Sequence, residues 1–95
     1  MNVGQAVRLC RVTRGLSQEQ LADKIRMSAS YLSLIEMGKR DPALSTIQKI
    51  ADALDVPLSI MVFLAASPGE LSGLPQETQD KLAAAALGVM NAQRG

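Results

Sequence analysis

The segment 15–39 constrains the fold of this chain more than any other part of the sequence. Ser17 is a good helix N-cap, and Gln20 completes a capping box, in which each side chain bonds the other residue's backbone amide. Ser28 is a second N-cap, and Gly38 ends the pattern with a residue free to take a positive φ angle. The segment therefore predicts two short helices joined by a tight turn. These helices cover about residues 18–25 and 29–37.

The apolar side chains of this segment are spaced so that the two helices pack against each other. Leu21, Ala22 and Ile25 form the inner face of the first helix, and Leu32 and Ile35 form that of the second. The small side chain of Ala22 suits two helices that cross at a steep angle, since little room remains at the crossing. Such a unit can place its second helix in the major groove of DNA.

The rest of the chain predicts an all-α fold, a five-helix domain with an additional C-terminal helix. Hydrophobic residues make up 47% of the chain but aromatic residues only 2%, so the core is built from aliphatic side chains, which suits packed helices. We expect helices from the Asn2 cap to about Thr13, after a Ser45–Gln48 capping box, from Leu58 to about Ala66, and from Gln76 to about Ala92. Residues 1–66 form the helix-turn-helix domain, and residues 67–95 a loop and a C-terminal helix for dimerisation.

Many coordinated positions carry a resemblance to a known family. They are Arg11, Gly15-Leu16-Ser17-Gln18, Leu21-Ala22, Ile25, Ser28, Ile35-Glu36, Gly38-Lys39, and the run Ile47, Ile50-Ala51, Ala53-Leu54-Asp55-Val56-Pro57-Leu58. In this order and spacing they resemble the phage repressor and Cro-type (Xre-type) helix-turn-helix transcriptional regulators. The resemblance covers about residues 7–64. It implies a sequence-specific DNA-binding regulator, a repressor, that binds an inverted-repeat operator as a dimer.

The resemblance also assigns the residues that face the base edges of DNA. They are Ser28, Ala29, Ser30, Ser33 and Leu34. None of them is an Arg, Lys, Gln or Asn, the residues that make bidentate base contacts. Serine discriminates weakly between bases, whereas Ala29 and Leu34 can touch thymine methyl groups. Specificity then depends on apolar contacts and DNA shape. The alternative is a second helix that has lost base readout and serves as scaffold.

Phosphate contacts are expected from Gln18, Tyr31, Lys39 and Arg40. Gln18 begins the first helix of the unit, where free backbone N–H groups suit an anion. Tyr31 lies on the second helix, and the two cations follow it. For each side chain the alternative is an ordinary solvated surface residue.

Three further positions bear on how the second helix is held. The family pairs two charges at the positions of Arg11 and Glu36, so the resemblance implies an ion pair that orients the second helix. The family usually has Gly where this chain has Arg26. If Arg26 takes a positive φ, its side chain costs roughly 1–2 kcal/mol. Either the turn is slightly altered, or Arg26 is tolerated because it contacts a phosphate or a partner.

The segment 60–66 is apolar on every side, and a helix of that kind needs cover on both sides. Either the C-terminal segment folds back over it, or it forms a subunit interface. The two interpretations are compatible, and we expect a homodimer built from this helix and the C-terminal helix. The expected contact residues are Ile60, Met61, Phe63, Leu64, Leu82, Ala86, Leu87 and Met90.

Composition narrows the function classes. The net charge is only +1, so no large basic field is available. There is no His, and we find no metal-ligand spacing and no Gly-rich phosphate loop, so we expect no enzyme activity, no cofactor and no metal. The single Cys10 fits a reducing cytoplasm, and no stretch resembles a membrane span or a secretory leader.

The expected partners are double-stranded DNA and a second copy of the chain, with no membrane. The alternative function is an antitoxin or other protein-interaction module, whose two apolar C-terminal helices bind a toxin or another protein.

Overall fold

The computed structural model describes residues 1–92, and this part of the chain contains seven helices and no strand. The helices are α1 (Val3–Thr13), α2 (Gln18–Lys24), α3 (Ala29–Glu36), α4 (Leu44–Ala53), α5 (Leu58–Ala65), α6 (Pro68–Leu71) and α7 (Gln76–Ala92). The predicted all-α class is confirmed. The sequence did not predict the short α6, although Ser67 and Glu70 form a capping box at its start. The end of the predicted C-terminal segment, residues 93–95, lies outside the described residues.

The helices α1 and α2 begin where the sequence predicts, and local hydrogen bonds stabilise both starts. The Ser17 hydroxyl accepts from the Gln20 amide at 3.0 Å, and the Gln20 side chain accepts from the Ser17 amide at 2.8 Å. Asn2 caps α1 by accepting from the Gln5 amide at 3.0 Å. These caps satisfy amides that a helix cannot pair internally, which fixes where α1 and α2 begin.

The capping box predicted for α4 is wrong. The helix begins at Leu44 with Ala43 as its N-cap, and the Ala43 carbonyl already accepts from the Ile47 amide at 3.0 Å. Ser45 therefore lies inside the first turn and cannot act as a cap. The side-chain amide of Gln48 donates instead to the carboxylate of Asp52 on the same helix, at 2.8 Å.

The first four helices end in the same motif, in which an amide beyond the helix bonds a carbonyl of its last turn. These bonds run from Leu16 to Arg11 (3.1 Å), Met27 to Ala22 (2.9 Å), Lys39 to Leu34 (2.9 Å) and Val56 to Ala51 (2.9 Å). The motif needs a residue of positive φ, which is supplied by Gly15, Arg26, Gly38 and Asp55. Arg26 has φ 55°, so it takes the backbone conformation in which a side chain is unfavourable.

The core forms around α1, which packs on α5 and α3. Its largest fully buried side chains are Leu21, Leu32, Ile35, Ile50, Leu54, Met61, Val7 and Cys10. Burial raises the pKa of the Cys10 thiol. Gly4 brings α1 very close to the end of α3, because a Cβ added there would collide with the Ile35 carbonyl oxygen and lie 2.7 Å from that of Glu36.

The C-terminal helix folds back within the same chain and packs on α5. Ala86 joins the core, and Leu82, Val89 and Met90 pack against it. Arg14, at the end of α1, holds this arrangement. Its Nε and Nη2 donate to the Leu54 and Asp55 carbonyls at 2.7 and 3.0 Å, and its Nη1 donates to the Val89 carbonyl at 3.3 Å.

This packing corrects part of the predicted dimer surface. Ile60, Met61 and Ala86 are buried inside the chain, Met61 with 1% of its surface exposed. Because α1, α4 and α7 all pack on α5, Ile60 and Met61 have almost no surface left for a second copy. The outer residues of the predicted set are Phe63, Leu64, Leu82 and Met90, which are half-buried, and Leu87, which is exposed.

Candidate nucleic-acid interface

The residues predicted to face DNA bases all reach the surface of α3 or its cap. Ala29, Ser30, Ser33 and Leu34 line one shallow groove of about 410 Å³ together with Gln18. No charged side chain lines this groove. Ser28 lies apart from it: its hydroxyl accepts from the Tyr31 amide at 3.0 Å, and its side chain faces a neighbouring cleft. Three of the five residues that line the groove, Ala29, Ser30 and Ser33, are small, which permits another molecule to approach α3 closely.

A bidentate ion pair holds the end of α3 to α1. The Arg11 Nε lies 2.7 Å from Glu36 Oε2, and Nη2 lies 2.9 Å from Oε1. The remaining Arg11 nitrogen, Nη1, donates to the Leu16 carbonyl at 2.9 Å. Glu36 is 3% exposed and Arg11 12%, so the pair is largely removed from water. The hydrogen bonds to Glu36 raise the pKa of Arg11 above its ordinary value.

Gln18 is part of the same network. Its side-chain amide donates to Glu36 Oε1 at 3.1 Å, which joins the start of α2 to the end of α3. Sequence reasoning assigned Gln18 to a phosphate and missed this bond. The bond between Gln18 and Glu36 was not visible in the sequence, because the two residues belong to different helices and meet only in the fold. This bond uses one of the two N–H groups of the Gln18 side-chain amide.

The other predicted phosphate ligands lie at separate places around α3. Lys39 and Arg40 are exposed just beyond its C-terminal end. Tyr31 is half-buried and lines a cleft between α3 and α4. The structure therefore does not gather Gln18, Tyr31, Lys39 and Arg40 into one cluster.

Sequence reasoning also missed two cationic features. Arg14 holds the carbonyls described above, and Lys49 on α4 lies beside Arg26 in the cleft that contains Tyr31. The replacement of the usual Gly by Arg26 was the one available signal for that cleft.

Within residues 1–92, no helix is long and apolar enough to cross a membrane. The same residues contain no group of three or more His, Cys, Asp or Glu side chains that could hold a metal ion.

Two short helices joined by a tight turn, the second presenting an exposed face of small residues, define a helix-turn-helix domain. A family model described as helix-turn-helix matches residues 7–61, more than half of the chain. The chain belongs to this helix-turn-helix family, in its Xre-type branch of DNA-binding transcriptional regulators, which confirms the resemblance carried by the motif residues. The family is one of regulators rather than of enzymes.

Curated relatives share the same part of the chain. The immunity repressor protein of Bacillus phage phi105 is 44% identical over 62 residues, which is 65% of this chain and 43% of that protein. The transcriptional regulator ClgR of Mycobacterium tuberculosis is 35% identical over 60 residues, 63% of this chain and 54% of that protein. The HTH-type transcriptional repressor RghR of Bacillus subtilis is 38% identical over 82 residues, 83% of this chain and 61% of that protein. The chain thus matches about half the length of these relatives.

Proposed function

We propose that this chain is a transcriptional repressor that reads an inverted-repeat operator as a homodimer, with α3 in the major groove. The observation that carries the proposal is the network of Arg11, Gln18 and Glu36. It fixes α3 against α1 and α2 while the groove of small residues on α3 stays open to solvent. Preorganisation of this kind is what a reading helix needs, because a mobile helix would lose entropy on binding.

Readout in this proposal depends on close approach. The groove offers the Ser30 and Ser33 hydroxyls and the apolar Ala29 and Leu34. Hydroxyls bond either base type, and apolar side chains contact the thymine methyl group. Discrimination is therefore modest and concentrated at A·T-containing positions, with DNA shape supplying the rest.

An exposed apolar surface supports assembly into a homodimer. A groove of about 560 Å³ between α1, α5 and α7 is lined by Leu9, Phe63, Leu64, Leu87 and Met90. Its remaining lining residues are small or uncharged: Thr13, Ala83, Ala86 and Asn91. An isologous contact through this groove would bury the apolar surface and set the distance between two α3 helices, about 34–36 Å for successive major grooves.

The same groove favours a second candidate function, an antitoxin or other interaction module. Its occupant would then be a toxin or another protein rather than a second copy. In both cases we place the protein in the cytoplasm, where its buried free Cys10 meets a reducing environment.

Selection of bound sequences from random duplex DNA by the purified chain tests the proposal. We expect enriched sites with dyad symmetry and half-sites about 10–10.5 base pairs apart. Light scattering on the same sample should give a dimer. A chain that stays monomeric and shows no salt-dependent DNA binding would contradict the repressor and support the interaction module.

A further inference from the structure

A cleft on the α4 side of α3 contains Arg26 and Lys49, two cations outside the predicted set of phosphate ligands. We call it the basic cleft. It has a volume of about 340 Å³ and is lined by Ile25, Arg26, Met27, Ser28, Tyr31, Thr46 and Lys49. A shallower groove continues from it along α2 and α4 and adds Lys24 and Asp52. The two grooves share Ile25, Arg26 and Lys49, and neither contains a residue of the groove on the exposed face of α3.

The charges of the basic cleft are available to a ligand. Arg26 and Lys49 are exposed, and within residues 1–92 neither takes part in an ion pair. Asp52, the carboxylate of the continuing groove, accepts a hydrogen bond from Gln48 at 2.8 Å. Tyr31, Thr46 and Ser28 add hydroxyl-bearing side chains to the lining of the same cleft. Cations together with hydroxyl groups match the oxygen atoms of a phosphate diester chain.

The position of the basic cleft relative to α3 indicates which phosphates it meets. An α-helix with its side chains is about 10–12 Å wide, and the major groove of B-DNA is about 12 Å wide. A helix lying in that groove therefore has a sugar-phosphate strand on each flank. The start of α2 borders one flank of α3, at the groove that contains Gln18. The basic cleft borders the other flank, and it contains Ser28 and Tyr31 of the α3 cap and first turn.

The backbone at Arg26 is a second observation. Arg26 has a positive φ of 55° in the motif that ends α2. Gly38 occupies the equivalent position at the end of α3, where it avoids the steric cost that a side chain has at positive φ. Asp55 keeps the same φ in the same motif, so this conformation supports a functional role at Arg26 only together with the lining of the basic cleft. Arg26 is exposed, so packing does not require it.

We propose that the basic cleft binds the phosphate backbone of the DNA strand on the α4 flank of α3, through Arg26 and Lys49. This inference rests on the proposed DNA-binding function. It adds a pair of phosphate ligands to the ones that the family resemblance implies, and it accounts for the cation at the turn between α2 and α3.

Fluorescence anisotropy with labelled duplex DNA of mixed sequence tests the basic cleft, because phosphate contacts weaken binding to all sequences alike. The variants are Lys49→Ala and Arg26→Gly, measured over a series of salt concentrations. We expect each to lower the affinity about tenfold at low salt. Each should also reduce the slope of log affinity against log salt by about 0.9. Arg26→Gly keeps the turn, since Gly suits its positive φ.

The matched control is Lys81→Ala, which removes an equal charge from the exposed surface of α7. It should bind like the wild-type chain, and Arg26→Lys should retain most of the wild-type affinity. The proposal for the basic cleft alone would be overturned if the wild-type chain binds DNA and both Lys49→Ala and Arg26→Gly bind it with unchanged affinity and unchanged salt slope. A wild-type chain without salt-dependent DNA binding would overturn the proposed function as well.

Discussion

Gln18 and Arg11 bond the same carboxyl oxygen of Glu36, at 3.1 and 2.9 Å, although they lie on different helices. One carboxylate thereby connects α1, α2 and α3. The connection explains how a helix of only eight residues is held in a fixed orientation while one of its faces remains open to solvent. It also makes the three residues energetically dependent on one another.

The first prediction concerns the stability of this network. Arg11→Ala and Glu36→Ala should each lower the free energy of unfolding by about 3 kcal/mol, because each leaves a largely buried charge without its partner. The double variant should lose less than the sum of the two single losses. Chemical denaturation of the four proteins measures the coupling, and additive losses would show that the two side chains do not interact.

A second prediction concerns the contact between α1 and α3. Gly4→Ala should destabilise the chain by about 1–3 kcal/mol, since its Cβ would collide with the Ile35 carbonyl oxygen. Gly88→Ala is the matched control, because nothing lies within 4 Å of a Cβ built there, and it should stabilise α7 by up to about 1 kcal/mol. Thermal melts compare the two. Equal melting temperatures for both variants would contradict the close approach.

The third prediction concerns the two non-glycine residues of positive φ. Arg26→Gly and Asp55→Gly should each raise the free energy of unfolding by about 1 kcal/mol, because Gly removes the steric penalty of this conformation. The backbone carbonyl of Asp55 still accepts from Arg14 in the variant. Urea titrations give the values, and a loss of stability in both variants would mean that their side chains contribute more than their backbones cost.

A fourth prediction concerns the base-facing groove. Ser30→Leu should weaken binding to a selected operator without unfolding the chain, because Ser30 is exposed and the larger side chain prevents close approach. Thr78→Leu, at an exposed position of α7, is the control and should bind normally. Operator affinity and circular dichroism of both variants are compared. Unchanged affinity in Ser30→Leu would place the docking face elsewhere.

The fifth prediction concerns assembly. Leu87→Glu should give folded monomers, because Leu87 is 64% exposed at the edge of the apolar groove. Leu44→Glu is the control, since Leu44 is 66% exposed but lies on α4, outside that groove, and it should remain dimeric. Met61→Glu should unfold the chain instead, because Met61 is buried. Light scattering with circular dichroism separates these outcomes, and a dimeric Leu87→Glu would exclude the groove as the interface.

Local signals in the sequence predicted most of the helices and fewer of their relationships. The effects of Ser17, Gln20 and Gly38 are local, because each bonds or shapes backbone only a few residues away. These residues therefore determine where α2 begins and α3 ends almost independently of the rest of the chain. The predicted start of α4 was wrong, because the helix has Ala43 as its N-cap although Ala43 makes no side-chain cap bond.

The contacts that the sequence did not predict join distant elements. Arg14 bonds residues 40 to 75 positions away, and the bond between Gln18 and Glu36 depends on how two helices cross. The apolar segment 60–66 indicated that α5 is covered on both sides, but not which part of the protein covers it. Whether α7 or a second copy covers Met61 depends on chain connectivity that no local pattern encodes.

Arg11 and Arg14 are three residues apart on α1, and they hold different parts of the molecule. Arg11 bonds the end of α3, and Arg14 bonds the Val89 carbonyl of α7. In a dimer formed through α7, the path from the subunit contact to the reading helix thus passes through one turn of α1, about 5.4 Å of helix. In such a dimer, a shift of α7 would change the angle between the two α3 helices. The match between the paired α3 helices and a particular half-site spacing in DNA would then depend on contacts made at α7, on the other side of the domain.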